Sequence, residues 1–268
     1  MKKIILCALM AATVMALTGC KKNEVKIAGD AVEALKQRGV FVLGLDDSFP
    51  PLGYRNDDNE IVGFDIDLAK EVAERLGVEF KAQPIDWDAK EMELSTGKID
   101  CIWNGFTITE ERKKALSFTD AYLNNDQVVV VREDSGISTL SDMVGKTIGI
   151  QSGSSAQEAV NDNPDFAAGL AKTISFRDNV TAMNDLAIGG VDGIVMDSVV
   201  ANNIINESKN PFKILPESLA KEGYGIGFRK NEPDLCNAVW NILKQMKEDG
   251  TVASISKKWF GKDITVIE

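Results

Sequence analysis

The chain of 268 residues contains no histidine, and its four cysteines stand at positions 7, 20, 101 and 236 with no CxxC spacing. The missing imidazole excludes His-based metal sites and the usual general base of a serine or cysteine nucleophile. Basic residues are also short: 30 Lys and Arg face 41 Asp and Glu, a formal net charge of −11. No basic stripe is available to neutralise phosphates, which argues against a nucleic-acid partner. An acidic balance of this size makes an exported protein soluble and does not identify a ligand. Cys101 falls in a short apolar run, 99–103, and Cys236 in a C-terminal helical pattern. Two separately buried thiols fit those settings better than a disulfide.

Long apolar runs are absent as well, apart from residues 4–17, which follow the basic start Met1-Lys2-Lys3. That run is shorter than the ~18–20 residues a spanning helix needs. It ends in Leu17-Thr18-Gly19-Cys20. The order of charge, apolar run and small residues is that of a secretory signal, and Leu-Thr-Gly-Cys is the pattern of a bacterial lipoprotein box. The expectation is a signal peptide over 1–19 and a diacylglyceryl-modified Cys20. A tether over 20–35 would follow, and the protein would sit on the extracytoplasmic face of the cell membrane. Two or three acyl chains, each contributing roughly 0.8 kcal/mol per buried methylene, hold a protein on a bilayer stably.

With 44% hydrophobic residues, the chain can bury one large or two medium cores. Strand-like runs at 40–45, 78–82, 99–103, 127–131, 146–150, 174–176, 191–196 and 225–229 alternate with helical patterns at 64–76, 89–95, 154–160, 180–188, 199–205, 234–247 and 252–260. Such alternation indicates an α/β architecture. Gly145-Lys146-Thr147 lacks the glycine of a phosphate-binding loop five residues earlier, where Leu140 stands. Asp57-Asp58-Asn59-Glu60 lacks the glycine and distal glutamate of a calcium loop. No cofactor or metal is expected.

Residues 63–76 carry the most specific signal. Gly63-Phe64-Asp65-Ile66-Asp67-Leu68 leads into Ala69-Lys70-Glu71-Val72-Ala73-Glu74-Arg75-Leu76. Asp65 and Asp67 fall where a helix N-terminus favours negative charge. Leu68, Ala69, Val72, Ala73 and Leu76 form one apolar stripe at helical spacing. This segment resembles the signature of the polar amino-acid-binding proteins of bacterial ABC importers (solute-binding protein family three). The resemblance extends over nearly all of 40–261. It implies a two-lobed, type II periplasmic-binding-protein fold with a cleft between lobes joined by two hinge strands, near 123–128 and 223–227. Lobe 1 would comprise 36–125 and 226–268, and lobe 2 would comprise 126–225.

The same resemblance assigns a ligand site. A free amino acid presents a carboxylate and an ammonium about 3 Å apart, so it needs a bidentate donor, an anionic acceptor and apolar walls. In Asn104-Gly105-Phe106-Thr107-Ile108-Thr109-Glu110-Glu111-Arg112, Arg112 matches the carboxylate clamp, Thr107 the zwitterion hydroxyl and the Gly105 carbonyl an ammonium acceptor. Ser154 and Ser155 match the second lobe's grip on the carboxylate, and Gln151 a residue near the ligand side chain. Asp197, ending the run 191–197, matches the ammonium-binding acid, while Asp192 is expected to face solvent. Asp46 matches an acid beside the ligand, and Phe49 and Trp87 match two aromatic walls. Trp103 is expected only to pack.

Asn104 is bulkier than the serine or alanine associated with its position, and Gln151 and Met196 differ from the residues of amide- or cation-selective relatives. The extra acid Asp46 puts glutamine and the basic amino acids first. The expected function is a monomeric, lipid-anchored binding protein that hands a polar amino acid to an ABC transporter permease, without enzymatic activity. An exported enzyme of the same fold, dehydratase-like, and a ligand-sensing domain are the alternatives.

Overall fold

The apolar stripe that follows Gly63 decides where the first half of the chain folds back on itself. The computed structural model describes residues 31–208 and 210–268. The signal segment, Cys20 and the first part of the tether lie outside the described residues. The last part of the expected tether differs from the reading: α1 (Ala31–Arg38) is a helix, with Leu35 buried and the Ala31 N–H donating to Asp234 Oδ2 at 2.9 Å.

After β1 (Val40–Leu45), a small antiparallel sheet forms from β2 (Ser48–Phe49), β3 (Gly53–Arg55) and β4 (Ile61–Val62). Next come α2 (Phe64–Leu76), β5 (Glu79–Pro84), α3 (Lys90–Ser95), β6 (Cys101–Thr107), α4 (Glu110–Ala115) and β7 (Leu116–Phe118). The chain leaves through β8 (Leu123–Arg132). The second unit runs β9 (Thr147–Gln151), α5 (Ala156–Asn161), α6 (Pro164–Gly169), β10 (Lys172–Phe176), α7 (Asn179–Ile188), β11 (Gly193–Asp197) and α8 (Ser198–Glu207). It returns through β12 (Phe212–Arg229), and α9 (Pro233–Glu248) and α10 (Thr251–Phe260) close the chain on the first unit.

The main sheet has the order β10-β9-β11-β8-β12-β6-β1-β5, with β7 beside β12. β1 pairs parallel with β5 and β6, and β9 pairs parallel with β10 and β11. These are the two lobes of a type II periplasmic binding protein, each a βα-wound unit whose inner strands are mostly buried. β8 and β12 pair antiparallel from Phe212 opposite Arg132 to Tyr224 opposite Leu123, and so connect the lobes. Only 225–229 of β12 reads as a strand in the sequence. Upstream, polar residues and Pro216 interrupt the pattern, and the ladder shifts register between Ile214 and Ser218, where a proline can sit without a donor. Cys101 and Cys236 are separate buried thiols, as expected.

Gly63 opens α2 at φ 146°, and a Cβ there would collide with the Leu52 carbonyl, so only glycine fits. The stripe Leu68, Ala69, Val72, Ala73 and Leu76 is buried, and Gly77 ends the helix in the left-handed region. The two acids of the motif separate. Asp67 stays near the surface, accepting from Lys258 Nζ at 2.6 Å and Trp259 Nε1 at 2.8 Å, and so docks α10. Asp65 is fully buried: its Oδ2 accepts from the Gly105 N–H and from the Tyr122 hydroxyl, both at 2.9 Å. Burial raises the Asp65 carboxyl to about 7. Its role is therefore to hold β6 and the start of β8, more than to face the helix dipole.

The magnitudes separate these roles. A dipole contact contributes about 0.3–1 kcal/mol, whereas stranding a buried donor costs about 1–3 kcal/mol. Asp65→Ala strands two, so urea unfolding should show a loss of about 2–5 kcal/mol, with Asp65→Asn losing less. A loss under about 1 kcal/mol for the alanine variant would return Asp65 to the dipole role.

Candidate functional site

Parallel strands present their C-terminal ends at one edge of each lobe, and the two edges face one another. Asp46 follows the end of β1, Phe49 lies on β2, and β6 delivers Asn104, Gly105 and Thr107. Trp87 precedes α3, and Arg112 lies on α4. From the other lobe, Gln151 ends β9, Ser154 and Ser155 precede α5, and Asp197 ends β11. These eleven residues line one cleft with about 280 Å³ of space between atoms, part of it open to solvent. Trp103 packs edge-on against Tyr122 in the core instead. Asp192, expected in solvent, is half-buried and accepts from the Thr147 N–H at 2.8 Å.

Arg112 belongs by sequence to a charged run, yet it alone of 110–114 is buried. Thr109 caps α4, its Oγ1 accepting the Arg112 N–H at 3.2 Å, and one turn sends the guanidinium inward. Its Cζ lies 4.5 Å from the Phe106 ring centroid, Nη1 donates to Thr107 O at 2.8 Å and Nη2 to Gly153 O at 3.3 Å. Burial lowers its pKa, with Glu158 and Glu222 opposing, so the site holds a desolvated cation. Gly105 sits at φ 57°, and a Cβ there would press on Leu52 and Phe49. The bare backbone keeps this wall of the cleft open.

The acidic end is built from residues that sequence reasoning missed. Asp197 Oδ1 accepts from Asn125 Nδ2 at 2.7 Å, Gln127 Nε2 at 3.1 Å and the Tyr224 hydroxyl at 2.7 Å. Glu222, on β12, approaches the same amides. Burial raises Asp197 to about 7, and the nearby Glu222 charge adds to the rise. No local motif marks Asn125, Gln127 or Glu222; the pairing of β8 with β12 brings them to Asp197.

Asp46 closes the opposite end. Its backbone N–H donates to Asn104 Oδ1 at 3.0 Å, and its Oδ2 accepts Gln151 Nε2 across the cleft at 2.7 Å. Asn104, the bulkier residue, thus braces β1 and leaves its own Nδ2 without a partner. Burial raises Asp46 to about 6. Beyond it lies a second space lined by Asp46, Asp47, Asp86, Trp87, Arg177 and Asp178. Arg177 is committed to Asp178 at 2.9 Å.

Side-chain contacts that cross from lobe to lobe include Gln151 to Asp46, Ser155 Oγ to Thr107 Oγ1 at 3.1 Å, Thr107 to Glu222, and Arg112 and Lys90 to Gly153 O. Lys90 is another residue the sequence hid. It is buried beside Trp87, donating to Trp87 O at 3.0 Å and to Gly153 O at 2.7 Å. Burial brings its pKa down to about 8, with Arg112 contributing. A charge-assisted bond of about 1.5–3 kcal/mol is lost when the ammonium goes. Lys90→Met keeps the stem and removes the donors. Fluorescence transfer between dyes on the two lobes should then show the closed-to-open ratio fall about tenfold or more, and an unchanged ratio would deny Lys90 any part in closure.

Comparisons with known proteins place this geometry in a lineage. Residues 41–262 match the family model of bacterial extracellular solute-binding proteins, family 3. The L-cystine-binding protein TcyJ of Escherichia coli is 31% identical over 233 residues, 86% of each chain. The arginine-binding extracellular protein ArtP of Bacillus subtilis is 31% identical over 264 residues, covering 97% of this chain and 98% of its own. A crystal structure of an ABC uptake transporter substrate-binding protein from Streptococcus pneumoniae with bound histidine superposes with a TM-score of 0.86, at 35% identity, over 89% of this chain and 99% of its own. With its two lobes, hinge strands and cleft, this chain belongs to the bacterial extracellular solute-binding proteins of family 3.

Proposed function

We propose that this protein captures a basic amino acid, arginine first and lysine second, outside the cytoplasm and delivers it as a monomer to an ABC transporter permease. One observation carries the reading: the cleft sets a buried cation, Arg112, beside a buried acid, Asp197, and adds a second acid, Asp46, at the far end. Arg112 pairs with the ligand carboxylate, Asp197 with its ammonium, and Phe49 and Trp87 flank the aliphatic stem. The space beyond Asp46 is lined by three more aspartates and only one cation, which favours a positively charged tip over the neutral amide of glutamine. The likeness to ArtP, an arginine-binding protein, supports this choice, and the likeness to TcyJ makes cystine the ligand to test against it. Cys20 anchors the mature chain to the membrane through its acyl groups. Catalysis is not needed to account for the site, since each acid already serves as an acceptor for fixed donors.

Calorimetry with arginine, lysine, glutamine, histidine and cystine should give arginine the lowest Kd. Truncating one partner of a buried charge pair costs roughly 2–5 kcal/mol, so Arg112→Ala and Asp197→Ala should each weaken arginine about thirty-fold or more. Asp46→Asn keeps shape and one acceptor oxygen, and it should weaken arginine and lysine much more than glutamine. Equal losses for all three ligands would remove Asp46 from side-chain selection, and near-native affinity in either alanine variant would sink the assignment.

The anchor is tested in cells. Cys20→Ser should move the protein from the membrane fraction to the soluble fraction with arginine binding unchanged. A variant that stays with the membrane after a high-salt wash contradicts the lipid anchor.

A further inference from the structure

Glu222 stands on β12 between exposed Lys221 and half-buried Gly223, in a stretch with no recognisable motif. Its Oε2 accepts from the Thr107 hydroxyl at 2.9 Å, Asn125 Nδ2 at 3.0 Å and Gln127 Nε2 at 3.1 Å. The same two amide nitrogens serve Asp197 Oδ1 at 2.7 and 3.1 Å. An amide NH₂ carries two hydrogens, so Asn125 gives one to each acid, while Gln127 shares its two among both acids and Ser155 Oγ at 3.2 Å. Their trigonal geometry holds the two carboxylate oxygens roughly 5 Å apart.

The consequence falls on Thr107. A hydroxyl has one hydrogen and two lone pairs. Its hydrogen goes to Glu222, and one lone pair receives the Ser155 hydroxyl at 3.1 Å. The other lone pair remains, so in the cleft Thr107 can only accept. We propose that Glu222 is a positioning residue of the ammonium site: it fixes the Thr107 hydroxyl as an acceptor and, with Asp197, makes that end of the cleft select a cationic amino group. The proposal rests on the amino-acid-binding reading above and adds to it a residue that acts through Thr107 and Asp197.

The charged and titratable groups around Asp197 are few. Glu222 and Tyr224 face it from β12, and Arg112 from α4; Arg112 is in turn faced by Glu158 on α5, and by Lys90 and Glu91 on α3. Asp197, raised to about 7 chiefly by burial and next by Glu222, must be ionised to hold an ammonium. Affinity therefore falls as pH drops through that region, because the free protein holds a proton that the complex must shed. Removing the Glu222 charge lowers the free-state pKa of Asp197 and moves this acid limb to lower pH.

The test is arginine calorimetry from pH 5 to 8.5 on the mature protein and on Glu222→Gln. The variant keeps the shape but can turn the Thr107 hydroxyl round by donating to it. The expected result is a Kd at least tenfold weaker at pH 8, together with an acid limb displaced to lower pH. A purely structural role would lower the melting temperature and leave the midpoint of that limb in place. A Kd within twofold of the parent at pH 8, or an unmoved midpoint, overturns the proposal. If Glu222→Gln does not fold, Thr107→Val is measured instead; it should weaken arginine about tenfold, and unchanged affinity overturns the proposal equally. If the parent protein binds none of the amino acids, the underlying reading fails, which is a different outcome from binding that ignores Glu222.

Discussion

The antiparallel pairing of β8 with β12 is the constraint on which the rest of this protein depends. It runs from Arg132 opposite Phe212 in one lobe to Leu123 opposite Tyr224 at the boundary of the other. The backbone ladder makes the two lobes one continuous sheet. The same strands bring Asn125, Gln127, Glu222 and Tyr224 together around Asp197, beneath the residues that line the cleft. The joint is thus also the polar floor of the site.

Around that floor the cleft is electrostatically divided. Arg112 and Lys90 reach from the first lobe to a single carbonyl of the second, that of Gly153. Two cations converging on one carbonyl repel one another, and a carboxylate placed nearby would offset that repulsion. Asp197 and Glu222 gather near Thr107 at one end, and Asp46 stands at the opposite end. Such separated, desolvated charges cost stability in isolation and are offset when a zwitterion bridges them. Binding energy is thereby stored in the arrangement of the lobes as much as in any single contact.

Much of this was legible in the sequence, for identifiable reasons. The α/β alternation and most strands follow from short apolar runs bounded by polar turns. The Gly63 segment follows from its helical apolar stripe, whereas Arg112 reads from spacing alone as one of a solvated charged run and is assigned inward only by the family resemblance. What escaped acts across long sequence separations: Lys90 to Gly153 spans 63 residues, Asp65 to Gly105 spans 40, and Thr107 to Glu222 spans 115. Asp65 showed the limit most clearly, since a first-turn acid and a buried acceptor look alike until the opposing strand is known. α1 escaped because its polar surface reads as tether, although Leu35 and the Asp234 contact fix it to α9.

The proposed ligand lies in one orientation between Arg112 and Asp197, with its side chain toward Asp46. A crystal structure of the mature protein with arginine tests it most directly. It should show the α-carboxylate on the Arg112 guanidinium, the ammonium between Asp197 and the Thr107 hydroxyl, and the ligand's guanidinium at Asp46. An arginine bound with its guanidinium at Asp197, or bound outside this cleft, would contradict it.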